Sequence, residues 1–98
     1  MKLSSSQKRF LRGMTHHINP VVMVGDKGLT PNVLEEIENA LVHHELIKIK
    51  LRTDRESRQA MSVEISESFK AIIVHQIGQV SCFYRRNKKK PAVDLPAA

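Results

Sequence analysis

The stretch Pro20-Val21-Val22-Met23-Val24-Gly25-Asp26-Lys27-Gly28-Leu29-Thr30-Pro31-Asn32-Val33-Leu34 confines the chain to folds in which a strand feeds directly into a helix. Its apolar run, Val21 to Val24, is too short for a helix and rich in β-branched residues, so it predicts a short buried strand. Gly25-Asp26-Lys27-Gly28 then turns the chain. Thr30 supplies an N-cap hydroxyl, Pro31 suits the first helical position because its missing N–H needs no partner there, and Glu35 and Glu36 favour the positive end of the helix dipole.

Glycine has no Cβ, so it tolerates positive φ and lets another backbone come close, while the free amides that open a helix favour an anion. Lys27 places a cation between the two glycines. A Gly-x-x-Gly loop of this kind can clamp a sugar-phosphate backbone, as it does in some RNA-binding modules; elsewhere the same tetrapeptide is a tight turn and nothing more.

The clearest strand is Leu46 to Arg52, because Ile47, Ile49 and Leu51 alternate with Lys48, Lys50 and Arg52 at period two. One face belongs to the core. The other presents three cations about 7 Å apart, comparable with phosphate spacing on a nucleic-acid strand, although lysines that keep an exposed strand from aggregating give the same pattern. A first helix opens at Ser4-Ser5-Ser6-Gln7, carries Phe10, Leu11 and Met14 on one side, and is ended by Gly13 and the segment from Thr15 to Pro20. A second runs from Pro31 to about His43, burying Leu34, Ile37 and Leu41 and turning Glu35, Glu36 and Glu38 outward. A third spans Arg55 to Phe69 on a thinner stripe of Ala60, Met61, Ile65 and Phe69. Ala71 to Ile77 and Val80 to Tyr84 form a hairpin through Gly78-Gln79. The order αβαβαββ predicts a two-layer α/β domain: a four-stranded mixed sheet with helices on one face and Lys48, Lys50 and Arg52 on the open side.

The chain of 98 residues has room for one domain with a single core, but not for a deep catalytic cleft. No apolar run approaches the length of a membrane span, and Met1-Lys2-Leu3-Ser4 lacks the apolar core of a signal peptide, so a cytoplasmic location without a membrane partner is expected. The domain proper, residues 1–84, holds eleven Lys/Arg against nine Asp/Glu, whereas the basic C-terminal extension, residues 85–98, holds five against Asp94 alone. That extension, with Arg85, Arg86, Lys88, Lys89 and Lys90, is too polar to bury a core and is expected to be mobile at its end. It suggests a polyanion partner; the plainer reading is a solubilising tail.

Catalytic chemistry finds little support. Cys82 sits in an apolar strand, as a small buried thiol does. His16-His17 and His43-His44 are adjacent pairs whose side chains diverge, and His75 has no spaced partner. No catalytic residue, metal site or cofactor is expected, the protein is expected to be a monomer, and no internal repeat is visible.

The residues Pro20-Val21-Val22, Val24-Gly25-Asp26-Lys27-Gly28-Leu29-Thr30, Val33-Leu34-Glu35-Glu36-Ile37 and His43-His44-Glu45-Leu46-Ile47-Lys48-Ile49-Lys50 match, in order and spacing, the YhbY family of bacterial single-domain CRM proteins (chloroplast RNA splicing and ribosome maturation), which the chain closely resembles. Weaker resemblance continues through Ile77-Gly78 to Tyr84-Arg85. The resemblance implies a fold similar to the C-terminal domain of translation initiation factor three, and an RNA-binding module associated in bacteria with precursors of the large ribosomal subunit. The family's Gly-x-x-Gly loop maps onto Gly25, Asp26, Lys27 and Gly28. Lys70 and Ala71 depart from it, standing where relatives often have a glycine at a helix end.

The leading expectation is therefore a protein that binds ribosomal RNA during large-subunit assembly without catalysing a reaction. Lys27 would pair a phosphate between Gly25 and Gly28, Lys48, Lys50 and Arg52 would extend the track, and Arg85, Arg86 and Lys88 to Lys90 would add sequence-independent affinity. With Phe10, Phe69, Phe83 and Tyr84 as the only aromatics, recognition of phosphate and shape fits better than base stacking. A protein-binding module on assembling ribosomes and a small histidine-dependent enzyme are the alternatives.

Overall fold

The computed structural model describes residues 2–97 and contains seven elements: α1 (Ser5–Thr15), β1 (Val22–Val24), α2 (Pro31–His44), β2 (Leu46–Leu51), α3 (Arg55–Phe69), β3 (Ile72–Ile77) and β4 (Val80–Tyr84). They occur in the expected αβαβαββ order. Each helix starts where its capping side chain stands: Ser4 and Gln7 exchange bonds in a capping box, Thr30 accepts from the Val33 amide, and Asp54 accepts from that of Ser57. Glu35 and Glu36 fall just beyond the first turn of α2, so they do not serve its dipole as the sequence suggested.

The strands form one mixed sheet in the order β1-β2-β4-β3. β1 lies parallel to β2, while β4 runs antiparallel to both β2 and β3. β2 and β3 are consequently parallel to each other, and both α2 and α3 are crossovers between parallel strands. Right-handed crossovers that step across a sheet in the same direction place their helices on the same face. Accordingly Ile37 and Leu41 of α2 and Ile65 of α3 pack with Val22, Val24, Ile47, Ile49, Leu51 and Phe83 in the main core.

α1 differs from the expectation that all helices share one face. It precedes the first strand, is no crossover, and so is free of that handedness rule. Its Leu11 packs with Leu46, Val74 and Tyr84, the residues that β2, β3 and β4 turn away from the main core. α1 therefore covers one end of the second face and leaves the other end open. The run Val21 to Val24 is likewise only half buried: Val22 and Val24 are enclosed, while Val21 and Met23 are 48% and 52% exposed, because β1 is an edge strand whose outer face α1 does not reach.

The third helix ends at Lys70, which adopts the left-handed conformation (φ 54°, ψ 43°). This is the conformation glycine favours, and a side chain there costs roughly 1–2 kcal/mol. Offset by glycine's greater freedom in the unfolded chain, Lys70→Gly is expected to stabilise the fold by about 0.5–1 kcal/mol, raising the melting midpoint by about 2–6 °C, as calorimetry would show.

Residues beyond β4 are held rather than free. Glu45, buried between α2 and β2 with φ 60°, accepts from three backbone amides of the extension: Asn87 at 2.6 Å through Oε2, and Ala92 and Val93 at 2.7 Å through Oε1. Val93 and Leu95 complete the α1-side cluster, and Gln7 Nε2 donates to the Pro96 carbonyl. The extension is thus a strap closed around a buried carboxylate.

Candidate nucleic-acid interface

The 25–28 loop follows β1 at the end of the sheet where β2 also finishes. The Arg52 amide donates to the Val24 carbonyl at 2.9 Å, so Arg52 and the loop are neighbours. The loop is a tight turn closed by Gly28 N–H to Gly25 O at 3.0 Å, with Asp26 and Lys27 exposed at its tip. Gly28 is required by the fold, because its φ is +70° and an added Cβ would already touch the Met61 methyl at 3.7 Å. Gly25 is required by neither: its φ is ordinary and nothing lies within 4 Å of where a Cβ would stand. Its bareness leaves room for something outside the molecule.

Register places the other cations. Met23 pairs with Lys50, and Lys50 also stands opposite Val80, while Lys48 stands opposite Cys82. Lys48 and Lys50 lie on the α1 side of the sheet, because their neighbours Ile47 and Ile49 face the main core. Both are half-buried, Arg52 is exposed, and among the described residues no hydrogen bond or salt bridge engages any of the three side chains or that of Lys27. Lys27, Lys50 and Arg52 thus stand at the same end of the sheet. Lys48 lies further in, where the end of α1 overhangs it.

Arg85 stands apart from this group. Its guanidinium makes a bidentate pair with Glu38, both bonds 2.8 Å, and also donates to the Phe69 carbonyl at 3.2 Å. This hydrogen-bonded pairing holds the Glu38 carboxyl below its ordinary range and raises the Arg85 guanidinium. Arg86, Lys88, Lys89 and Lys90 are exposed on the strap. Asn87 fixes that loop, donating to the Val42 carbonyl and accepting from the Lys89 and Lys90 amides.

Residue reasoning missed the contribution of α1. This helix carries Lys8, Arg9 and Arg12, all exposed, and no acidic residue. Of the ten acids in the chain, seven lie on the opposite layer: Glu35, Glu36 and Glu38 on α2, Asp54 at the cap of α3, and Glu56, Glu64 and Glu67 on α3. The signal was available in the absence of acid from residues 2–25, yet reading it required knowing that α1 shares a side with Lys48 and Lys50.

Where α1 ends, His16 meets His75 of β3 edge-on, with ring centroids 6.0 Å apart. Burial holds His75 below its ordinary value, and the nearby His16, Arg12 and Lys48 charges act in the same direction. The folded state thus resists a proton that the unfolded chain accepts around pH 6.5. His75 is expected to cost no stability above that pH and to destabilise progressively below it, until the folded imidazole also protonates. NMR titration of His75, beside melting curves with and without His75→Gln, checks this. Burial pushes the Cys82 thiol up, which disfavours the thiolate a nucleophile needs. Among the described residues, no three His, Cys, Asp or Glu side chains converge as metal ligands, and no helix is long and apolar enough to cross a membrane.

Comparison with known proteins agrees with this architecture. Residues 3–85 match the model of the CRS1/YhbY (CRM) domain. A Haemophilus influenzae protein named "RNA-binding protein" is 51% identical over 95 residues, covering 96% of this chain and 95% of that protein. The Bacillus subtilis "Probable RNA-binding protein YqeI" is 32% identical over 95 residues, covering 96% of this chain and 99% of that one. The solution structure of the hypothetical protein SAV1595 from Staphylococcus aureus superposes with a TM-score of 0.81 at 29% identity, covering 97% of this chain and all of that one. The chain therefore belongs to the CRS1/YhbY (CRM) domain family.

Proposed function

We propose that this protein binds RNA through the 25–28 loop and the α1 side of the sheet, and that its target is ribosomal RNA in precursors of the large subunit. One observation supports the binding reading: α1 and β2 bring their cations to one face of the sheet, which α1 and the strands leave free of acid, the 25–28 loop stands at the end of that sheet, and seven of the ten acids occupy the other layer. Such a surface attracts phosphate along its length and repels it from behind. Gly25 would let the RNA backbone approach, Lys27 would pair a phosphate, and Asp26 would complete the turn. Lys50 and Arg52 would continue the track, with Lys48 beneath it. Arg86 and Lys88 to Lys90 would add contacts from the strap, while Arg85 stays with Glu38.

The names of the relatives support RNA as the partner. Ribosomal RNA rests on the resemblance to YhbY-type proteins; a cytoplasmic location, a monomeric state and the absence of catalysis belong to the same proposal as expectations from the sequence. Ultraviolet crosslinking in cells, followed by sequencing of the attached RNA, tests the target. Enrichment of large-subunit precursor RNA at one or a few sites is expected; fragments spread over messenger RNA would remove the ribosomal assignment.

A further inference from the structure

The end of the sheet farthest from the 25–28 loop, where β3 begins and β4 ends, holds a cavity of about 580 Å³. Lys2, Lys70, Arg86 and Lys88 line it beside Ile72 and the Tyr84 ring, and no carboxylate does. The four cations come from separate parts of the chain, and the fold places the backbone that carries each one. Lys70 is set by the left-handed end of α3, Lys2 by the burial of Leu3, and Arg86 and Lys88 by the strap that Glu45 closes. Arg85, the remaining cation on the rim, is neutralised by Glu38. Positive charges gathered around one cavity, with the nearby carboxylates of Glu38 and Glu45 already engaged by Arg85 and by the strap, favour an anion rich in acceptor oxygens.

We propose that this cavity is a second phosphate-binding site, independent of the loop, and that it takes a backbone phosphate of the RNA. The source of the phosphate rests on the RNA reading above; the anion chemistry does not. β2 separates the two sites by about 20 Å, six residues at the rise of a strand, and Lys8, Arg9 and Arg12 of α1 lie on the side that joins them. One RNA segment can therefore be held at both ends of the molecule.

The test is an amide NMR titration of the full chain with two probes: a twelve-nucleotide RNA carrying hydroxyls at both ends, and uridine monophosphate. With the oligonucleotide, resonances of Lys70, Arg86 and Lys88 are expected to shift together with those of the loop. Lys70→Gly combined with Arg86→Glu should abolish the first set and keep the second, while lowering the salt dependence of log K by about 0.7 for the one lost phosphate. Retained loop shifts and a melting midpoint no lower than that of the parent chain show that the double variant is folded, so that loss is not one of unfolding. Shifts in the cavity with uridine monophosphate alone would uphold a phosphate site but make its ligand a free phosphomonoester. If the loop also failed to respond to RNA, the proposed function would fall while the cavity stood. Cavity resonances unmoved by either probe would overturn the proposal.

Discussion

Reversing Lys27, Lys50 and Arg52 together to glutamate is expected to weaken RNA binding about a thousandfold at physiological salt. Losing an exposed charge pair costs somewhat under 1 kcal/mol, and replacing it by repulsion costs about as much again, so each reversal approaches the 1.4 kcal/mol that equals a factor of ten. The salt dependence supplies a second reading that affinity alone does not. Each phosphate contact to a single strand contributes about 0.7 to the slope of log K against log salt, so the triple variant should lose about 2 from it. Stability should change little, because no described residue pairs with these three side chains. Filter binding over a salt series, with a melting curve as control, is sufficient. Unchanged affinity and slope in a folded variant would remove the loop end of the sheet from the interface.

The second large effect is structural. Glu45→Ala is expected to destabilise the protein by about 3 kcal/mol and to lower the melting midpoint by about 10–20 °C. Three amides lose a charged acceptor at once, and hydrogen bonds to charged groups contribute about 1.5–3 kcal/mol each. The total is capped because the strap can detach and let water reach those amides, which forfeits the packing of Val93 and Leu95 instead. Glu45→Gln should lose about half as much, since Oε1 still accepts from Ala92 and Val93 while the amide group confronts the Asn87 N–H. In a chain ending at Arg86 the alanine substitution should cost about 1 kcal/mol or less, because the partners are already gone. A full cost persisting there would show that Glu45 stabilises something other than the strap.

The elements were legible because each leaves a local trace: period two in Leu46 to Arg52, Thr30-Pro31 before α2, Gly78-Gln79 between β3 and β4. The third helix was found with its apolar stripe only partly identified. Ser62 is a core residue, its hydroxyl bonded to that of Ser81 at 2.8 Å, and a serine does not register in a hydrophobic pattern. The side of the sheet that α1 covers left no trace, since an element ahead of the first strand can pack on either face. The strap was equally hidden. It is held through backbone amides, which every residue but proline possesses, and through an acid more than forty positions earlier in the chain. The pairing of Arg85 with Glu38 spans a similar distance, so a cation counted toward the surface turned out to be occupied. The loop and the cationic strand beside it could be read from sequence; that Lys8, Arg9 and Arg12 share the side of Lys48 and Lys50 became visible only once α1 was placed.

The segregation of acids onto α2 and α3, behind a sheet whose other side is basic, gives the protein an uneven charge distribution in addition to its net charge of +6. In the field of a polyanion such a molecule is turned before it touches, so encounters are productive more often than chance orientation allows. Ionic strength should act mainly on how quickly the complex forms, and the acidic side, kept outward, stays available to neighbours that the nucleic acid does not itself cover.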